Sequence, residues 1–483
     1  MKICKNALFV VWLLAAMPMA ARAQTTPGVT PNAPDAPCGS PGTTTTSDGW
    51  PCELDGLPDT EKRHRLDALL EAHPEDLAAR LLRLRVEYRL GDSGAVLSDT
   101  EVVLANPSLD GPSRLQALER RSDMLSVVGR DAEAVSVANQ VLAIDDADPV
   151  ALFARGWARY NLDPLHTDDA LADLDRAVEL APDEGVGHFR RAAVLQARGA
   201  LDLAAQDFES AVRLVPGDVP TRLAYGNLLM QRRELERALG HFEVAARLRP
   251  KDLAVRFDVA RAHLALRRFD DVAADARELM KLGAVDDDLA NAHSYMASAL
   301  RGKSDFAGAA REFKIVLAMS GDHRIAHTLG LMQWHAGQLP QAIQTFRETV
   351  AWPDSNPYAL LWLYIVQVQA DPRKQAVAGA ELSAQASVHQ PHAWGDTLVE
   401  LMLGNTSIEK ALAEADAADS NELRAGRRCE ADYYDAERLL MQGQVEPASG
   451  LLEEAYWVCP SEYDEALAVE QARRRIAARS RAK

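Results

Sequence analysis

Residues 185–216 and 220–250 are two copies of one pattern, and that pattern constrains the fold more than any other feature of the chain. The first reads GVGHFRRAAVLQARGALDLAAQDFESAVRLVP and the second PTRLAYGNLLMQRRELERALGHFEVAARLRP. A small residue, Ala192 or Gly226, sits midway along the first predicted helix. The second predicted helix carries Ala204, Phe208 and Ala211, then Ala238, Phe242 and Ala245. Pro216 and Pro250 close the copies, and equivalent positions lie 34 residues apart. Small residues let two antiparallel helices approach, the aromatic fills the gap beside them, and proline stops the second helix. One such hairpin cannot bury its apolar face, so it needs neighbours.

Period and pattern together resemble the tetratricopeptide repeat (TPR). The resemblance implies an all-α, superhelical solenoid of antiparallel helix hairpins. Mid-helix small residues continue it at Ser122, Gly156, Ala192, Gly226, Ala260, Ala297 and Gly330, in steps of 34, 36, 34, 34, 37 and 33. Additions of two or three residues suit the turns between helices. The third repeat takes its addition at Asp163 and Pro164. The array is expected over residues 60–353, with weaker repeats at its start. A chain of 483 residues exceeds one compact core, and a repeat stack resolves that difficulty.

Residues 1–23 have the form of a secretory signal: Lys2 and Lys5, an apolar run over 7–17, then Ala21-Arg22-Ala23. The run is short for a membrane span. Cys4 precedes it and no cysteine follows the expected cleavage point until Cys38, so a cleaved, unlipidated export is expected, to the periplasm or beyond. Losing Lys2, Lys5 and Arg22 takes the formal charge from −18 to −21. That balance disfavours binding to nucleic-acid phosphates or to anionic lipid. Residues 24–59, rich in Pro, Thr, Gly and Ser, read as a disordered leader.

Four cysteines remain beyond the signal, which in an exported chain suggests two disulfides. Cys38 and Cys52 can close a loop in the leader; two free thiols are the alternative. Cys429 and Cys459 fall at the first and next-to-last positions of a last repeat, at the same end of an antiparallel hairpin. A bridge there would contribute about 3–4 kcal/mol in a chain-entropy treatment. The competing reading is two buried thiols.

Beyond residue 357 the period loosens into helices expected over 358–369, 373–388, 392–403 and 407–417. A final hairpin (429–458) and a capping helix (462–481) follow. The stretches PYALLWLYIVQVQA, AWGDTLVELMLGNTS, RRCEADYYDAERLLMQGQ and VCPSEYDEALAVEQ resemble the C-terminal region of NlpI-like bacterial TPR proteins. The resemblance covers roughly residues 354–483. It implies a scaffold that binds cell-envelope enzymes, such as peptidoglycan hydrolases and a processing protease.

No phosphate loop, H-E-x-x-H pair or G-x-S-x-G elbow occurs. His323 and His327 share a helix face, with His335 two turns on, but no carboxylate joins them at ligand spacing. Neither metal nor cofactor is therefore expected. The arginines from Arg473 onward suit a helix C-terminus, the alternative being an electrostatic contact with an acidic neighbour or with anionic cell-wall polymer. The family's groove positions fall on Phe153, Trp157 and Tyr160 in the third repeat and Phe189 and Gln196 in the fourth. They continue with Asn227 and Met230 in the fifth and His327, Trp334 and His335 in the eighth. Aromatics in a groove anchor extended peptides or helices, although the same tryptophans serve equally for packing between repeats. The expectation is a non-enzymatic, exported scaffold for protein or peptide partners. A self-assembling structural component and an enzyme with an unrecognised site are the rivals.

Overall fold

The computed structural model describes residues 51–322, 324–352, 357–386, 393–460 and 464–481. The expected signal, Cys38 and His323 fall outside them. So does the expected Cys38–Cys52 bridge, although Cys52 opens a short 3-10 turn, Cys52–Leu54. Among the described residues there are 24 α-helices, in two compact units that divide between Ala262 and His263. The fold is all-α and built of antiparallel hairpins.

The first unit begins with a single helix, α1 (Asp59–Ala72). Five hairpins follow: α2 (Leu77–Leu90) with α3 (Ser93–Ala105), α4 (Gly111–Val127) with α5 (Asp131–Leu142), and α6 (Pro149–Leu162) with α7 (Asp168–Leu180). The last two are α8 (Gly185–Ala197) with α9 (Leu201–Leu214), and α10 (Val219–Gln231) with α11 (Leu235–Leu248). α12 (Leu253–Ala265) carries the boundary in its last turn.

Local chemistry starts and stops these helices. Asp76, Asp92, Asp110, Asp148 and Asp218 each accept the backbone amide three residues on, capping α2, α3, α4, α6 and α10. Proline stands in the first turn of α4, α6 and α10, where no amide is missed. In four of the five hairpins the inner turn holds one residue at positive φ. Gly199 supplies it at 82°, but Arg233 takes the same place at 62°. A side chain there costs about 1–2 kcal/mol, which the packing of the hairpin overrides.

Packing follows the repeat pattern. Phe208 and Phe242 are fully buried between Ala204 and Ala211, and between Ala238 and Ala245. Gly226 lies so close to the Phe242 ring that a methyl group there has no room. The apolar core of this unit is a series of small clusters at the hairpin interfaces, as expected when each repeat touches only its neighbours. Neighbouring first helices (α4 with α6, α6 with α8, α8 with α10) also approach one another, and neighbouring second helices do not do so to the same extent. The stack of this unit is therefore drawn together on its first-helix face.

The second unit continues with α13 (Phe269–Lys281), the hairpin of α14 (Asp286–Gly302) and α15 (Phe306–Ser320), and that of α16 (Arg324–His335) and α17 (Leu339–Val350). Then come α18 (Pro357–Ala370), α19 (Gln375–Ala386), α20 (Ala393–Leu403) and α21 (Ile408–Asp416). α22 (Asn421–Met441), α23 (Val445–Val458) and α24 (Asp464–Arg481) complete it. α22 starts eight residues before the expected 429, because Ser420 caps it by accepting the Leu423 amide. α18 is apolar all round and becomes the centre of one large core, with Trp362 fully buried. That core runs from Ala309 to Ala472, which explains why the repeat period fades here: several helices share one interior.

Candidate functional site

Charged seams hold the first unit together. Arg83 grips Asp99 with two bonds of 2.8 and 2.6 Å, Arg155 grips Asp173 at 2.8 and 2.6 Å, and Arg191 grips Asp207 at 2.6 and 2.7 Å. Each arginine stands on a first helix and each aspartate on the second helix of the same hairpin. Each arginine also reaches the preceding second helix, or α1 for Arg83: Asp67 at 2.9 Å, Asn139 at 2.8 Å and Asp175 at 3.1 Å. Forked geometry and burial make such pairs rigid staples. Burial raises the Asp207 carboxyl, but Arg191 and His188 outweigh it and hold the group below the usual range. In the fifth repeat the equivalent residues are Tyr225 and His241, whose rings lie 4.6 Å apart. Burial pushes His241 down to about 4. Sequence reading missed these seams; the 16- to 18-residue spacing from Arg to Asp is the signal that could have found them.

On the first-helix face, Arg190 of α8 passes across α6 to Asp123 of α4, with 2.9 Å between Nη2 and Oδ1. The Tyr88 hydroxyl donates to the same carboxylate at 2.6 Å. Arg190 and Asp123 are 5% and 1% exposed, so the pair closes this face over the third repeat. Phe153, Trp157, Tyr160 and Phe189 are all buried. Their rings continue a chain: Trp157 to Tyr160 at 5.5 Å, Trp157 to Phe189 at 6.5 Å, Phe189 to Phe208 at 5.9 Å and Phe208 to Tyr225 at 6.0 Å. Phe153 packs directly on Gly187. A position within a repeat tells which face a residue takes, but not what covers that face.

Half-buried polar and apolar groups lie further along. Gln196 Nε2 donates to Gln231 Oε1 at 3.3 Å. Asn227 accepts from Arg261, whose guanidinium also reaches Asp258 at 2.5 Å and sits 5.6 Å over the Phe242 ring. Met230 is half-buried beside them in sequence. Gln196, Asn227 and Met230 thus stay reachable from solvent, in contrast with the third-repeat aromatics.

In the second unit His327 is half-buried, its ring edge-on to Phe346 at 5.7 Å. Trp334 is buried; its indole donates to Gln369 Oε1 at 2.8 Å and meets Trp362 edge-on at 4.8 Å. His335 stacks on Phe306 at 4.8 Å, and burial pushes it down to about 4. Gln369 in turn donates to Glu437 at 3.2 Å, and Glu437 receives Arg475. Cys429, fully buried on α22, is joined to Cys459 at the end of α23, with their Cα atoms 4.9 Å apart. No group of three or more His, Cys, Asp or Glu side chains set to hold a metal ion occurs among the described residues. No helix among them is long and apolar enough to cross a membrane.

Stacked hairpins, alanine and aromatic seams and a 34-residue step are the features of tetratricopeptide repeats. Residues 151–219 and 296–357 match the tetratricopeptide repeat family model. Among curated proteins, the Lipoprotein NlpI homolog of Haemophilus influenzae is 26% identical over 165 residues, 34% of this chain and 52% of that protein. The chain thus spans about half the length of this curated relative. A solved structure titled YrrB, a TPR protein with an unusual peptide-binding site, is 17% identical, covering 40% of this chain and 96% of its own at a TM-score of 0.36. The C-terminal part of a TPR repeat-containing protein from Cytophaga hutchinsonii is 15% identical, covering 56% and 96% at a TM-score of 0.39.

Proposed function

We propose that the chain is a non-enzymatic scaffold, exported to the bacterial envelope by residues 1–23 and binding partner segments on the first-helix face of its repeats. The observation that carries the reading is the half-buried strip of Gln196, Asn227 and Met230, beside a third repeat whose aromatics are sealed. Amide side chains suit the backbone of an extended peptide, and the methionine adapts to varied apolar anchors. Arg261, already turned toward Asn227 and Asp258, adds a cation for an acidic side chain of the partner. The similarity to the Lipoprotein NlpI homolog supports an envelope setting.

The test is crosslinking capture from envelope extracts with the whole exported protein and its Asn227→Ala/Met230→Ala variant. The captured proteins should be reduced at least tenfold in the variant, while its circular dichroism and melting stay unchanged. Equal capture by both proteins removes this face from the proposal. Fractionation that leaves the protein in the cytoplasm removes the export step.

A further inference from the structure

The C-terminal helix α24 does more than cover an open end. Glu465, Ala468, Val469 and Ala472 are buried and lie on one stripe, with Arg475 one step further along it. Gln471 lies beside the His335 ring, and the Arg475 guanidinium stands 5.8 Å over the Trp334 ring while pairing with Glu437. Trp334 and His335 are groove positions of the eighth repeat. The helix packs mainly on α22 and α23, with its far end against these two residues, and its buried positions keep the i, i+3, i+4 and i+7 spacing of a helix in a groove.

Its attachment combines a narrow apolar stripe with polar contacts. Two alanines and one valine are its fully buried apolar side chains, a small apolar payload for a helix of 18 residues. Ile476 packs against the same core, and the polar contacts include the Arg475–Glu437 pair, Arg473 with Glu453 at 2.6 Å and over the Tyr456 ring at 4.0 Å, and the Tyr434 hydroxyl on Glu465 at 3.0 Å. Beneath it the Tyr433 hydroxyl has no hydrogen-bond partner among the described residues, nor do Gln471 Oε1 and Arg475 Nε. Such a seat is specific in shape but incompletely satisfied. The chain just before it is anchored, since Cys459 is tied to Cys429.

We propose that α24 is a displaceable, built-in occupant of the first-helix face of the eighth repeat, seated by Gln471 and Arg475 on His335, Trp334 and Glu437. It occupies that face until a partner helix of the same chemistry, basic with a small apolar stripe, replaces it. The inference rests on the first-helix face being a binding surface, but its test reads the second unit alone.

In the intact protein, hydrogen exchange should be at least tenfold faster for amides 468–472 than for amides 433–439 of α22, and faster again in 0.5 M NaCl. Equal rates overturn the proposal. A fluorescein-labelled peptide of residues 464–481, DEALAVEQARRRIAARSR, should bind full-length Ala472→Glu at least tenfold more tightly than the wild type, because the variant's own helix can no longer seat. Full-length Arg475→Ala should do the same, and serves if Ala472→Glu fails to fold. Failure of the peptide to prefer either variant overturns the proposal. It leaves the partner capture by Asn227 and Met230 in the first unit untouched.

Discussion

Arg190 and Asp123 are 67 residues apart in sequence, yet they form a buried ion pair of 2.9 Å across an intervening helix. Removing one partner leaves the other charge buried and alone, which costs about 3–5 kcal/mol. Asp123→Ala should therefore lower the urea midpoint of the first unit sharply. The double variant Arg190→Met/Asp123→Leu should recover most of the loss. Parallel urea titrations of the two variants check this.

Two glycines in neighbouring helices should respond in opposite ways to alanine. A Cβ at Gly226 meets the Phe242 ring, so Gly226→Ala should cost about 1–3 kcal/mol through overpacking. Gly240 is exposed in α11 with nothing near its Cβ site, so Gly240→Ala should add about 0.5–1 kcal/mol. Thermal melts of both variants compare the signs directly.

Glu87 gives the first unit a pH dependence. Burial and the neighbouring Asp99 push its carboxyl from 4.5 up to about 8, although Arg83 stands 3.4 Å away, because Asp99 takes the arginine's fork. The folded state then holds a proton that the unfolded state releases, so this contribution is complete below 4.5 and is lost as pH rises through 8. Glu119, pushed up to about 7 mainly by burial, acts in the same direction. His241 acts only below 6.5, where its low folded value opposes them. Urea unfolding between pH 6.5 and 8 should show stability falling with pH, and falling less steeply in Glu87→Gln.

The Cys429–Cys459 bridge closes a sequence separation of 30 residues, for which chain entropy gives about 3–4 kcal/mol. Dithiothreitol, or the Cys429→Ala/Cys459→Ala variant, should lower the melting temperature of the second unit. Thiol counting before and after reduction should register the same pair.

The repeats were legible because their signals are local and periodic: the alanine, phenylalanine and proline positions recur with the helices they define. Phe208 and Phe242 were readable for that reason. Arg190 and Asp123 were not, since a contact two repeats apart leaves no period in the chain. Trp157 was expected on the groove face or in packing between repeats; it is buried, and the residues around it come from other helices as well as its own. The basic tail was read as helix-end electrostatics or as a contact with an acidic neighbour, but the neighbour itself, Glu437, lies 38 positions upstream of Arg475 and could not be named. Local composition describes an element and says little about which distant surface it meets.

The turn between α22 and α23 passes through exposed Gln442, Gly443 and Gln444, inside the loop that the last disulfide closes. A protease cutting there would separate nothing: both fragments would remain covalently joined through Cys429 and Cys459. A nicked molecule would run as one band without reductant and as two with it, and α24 would stay attached to the rest of the chain.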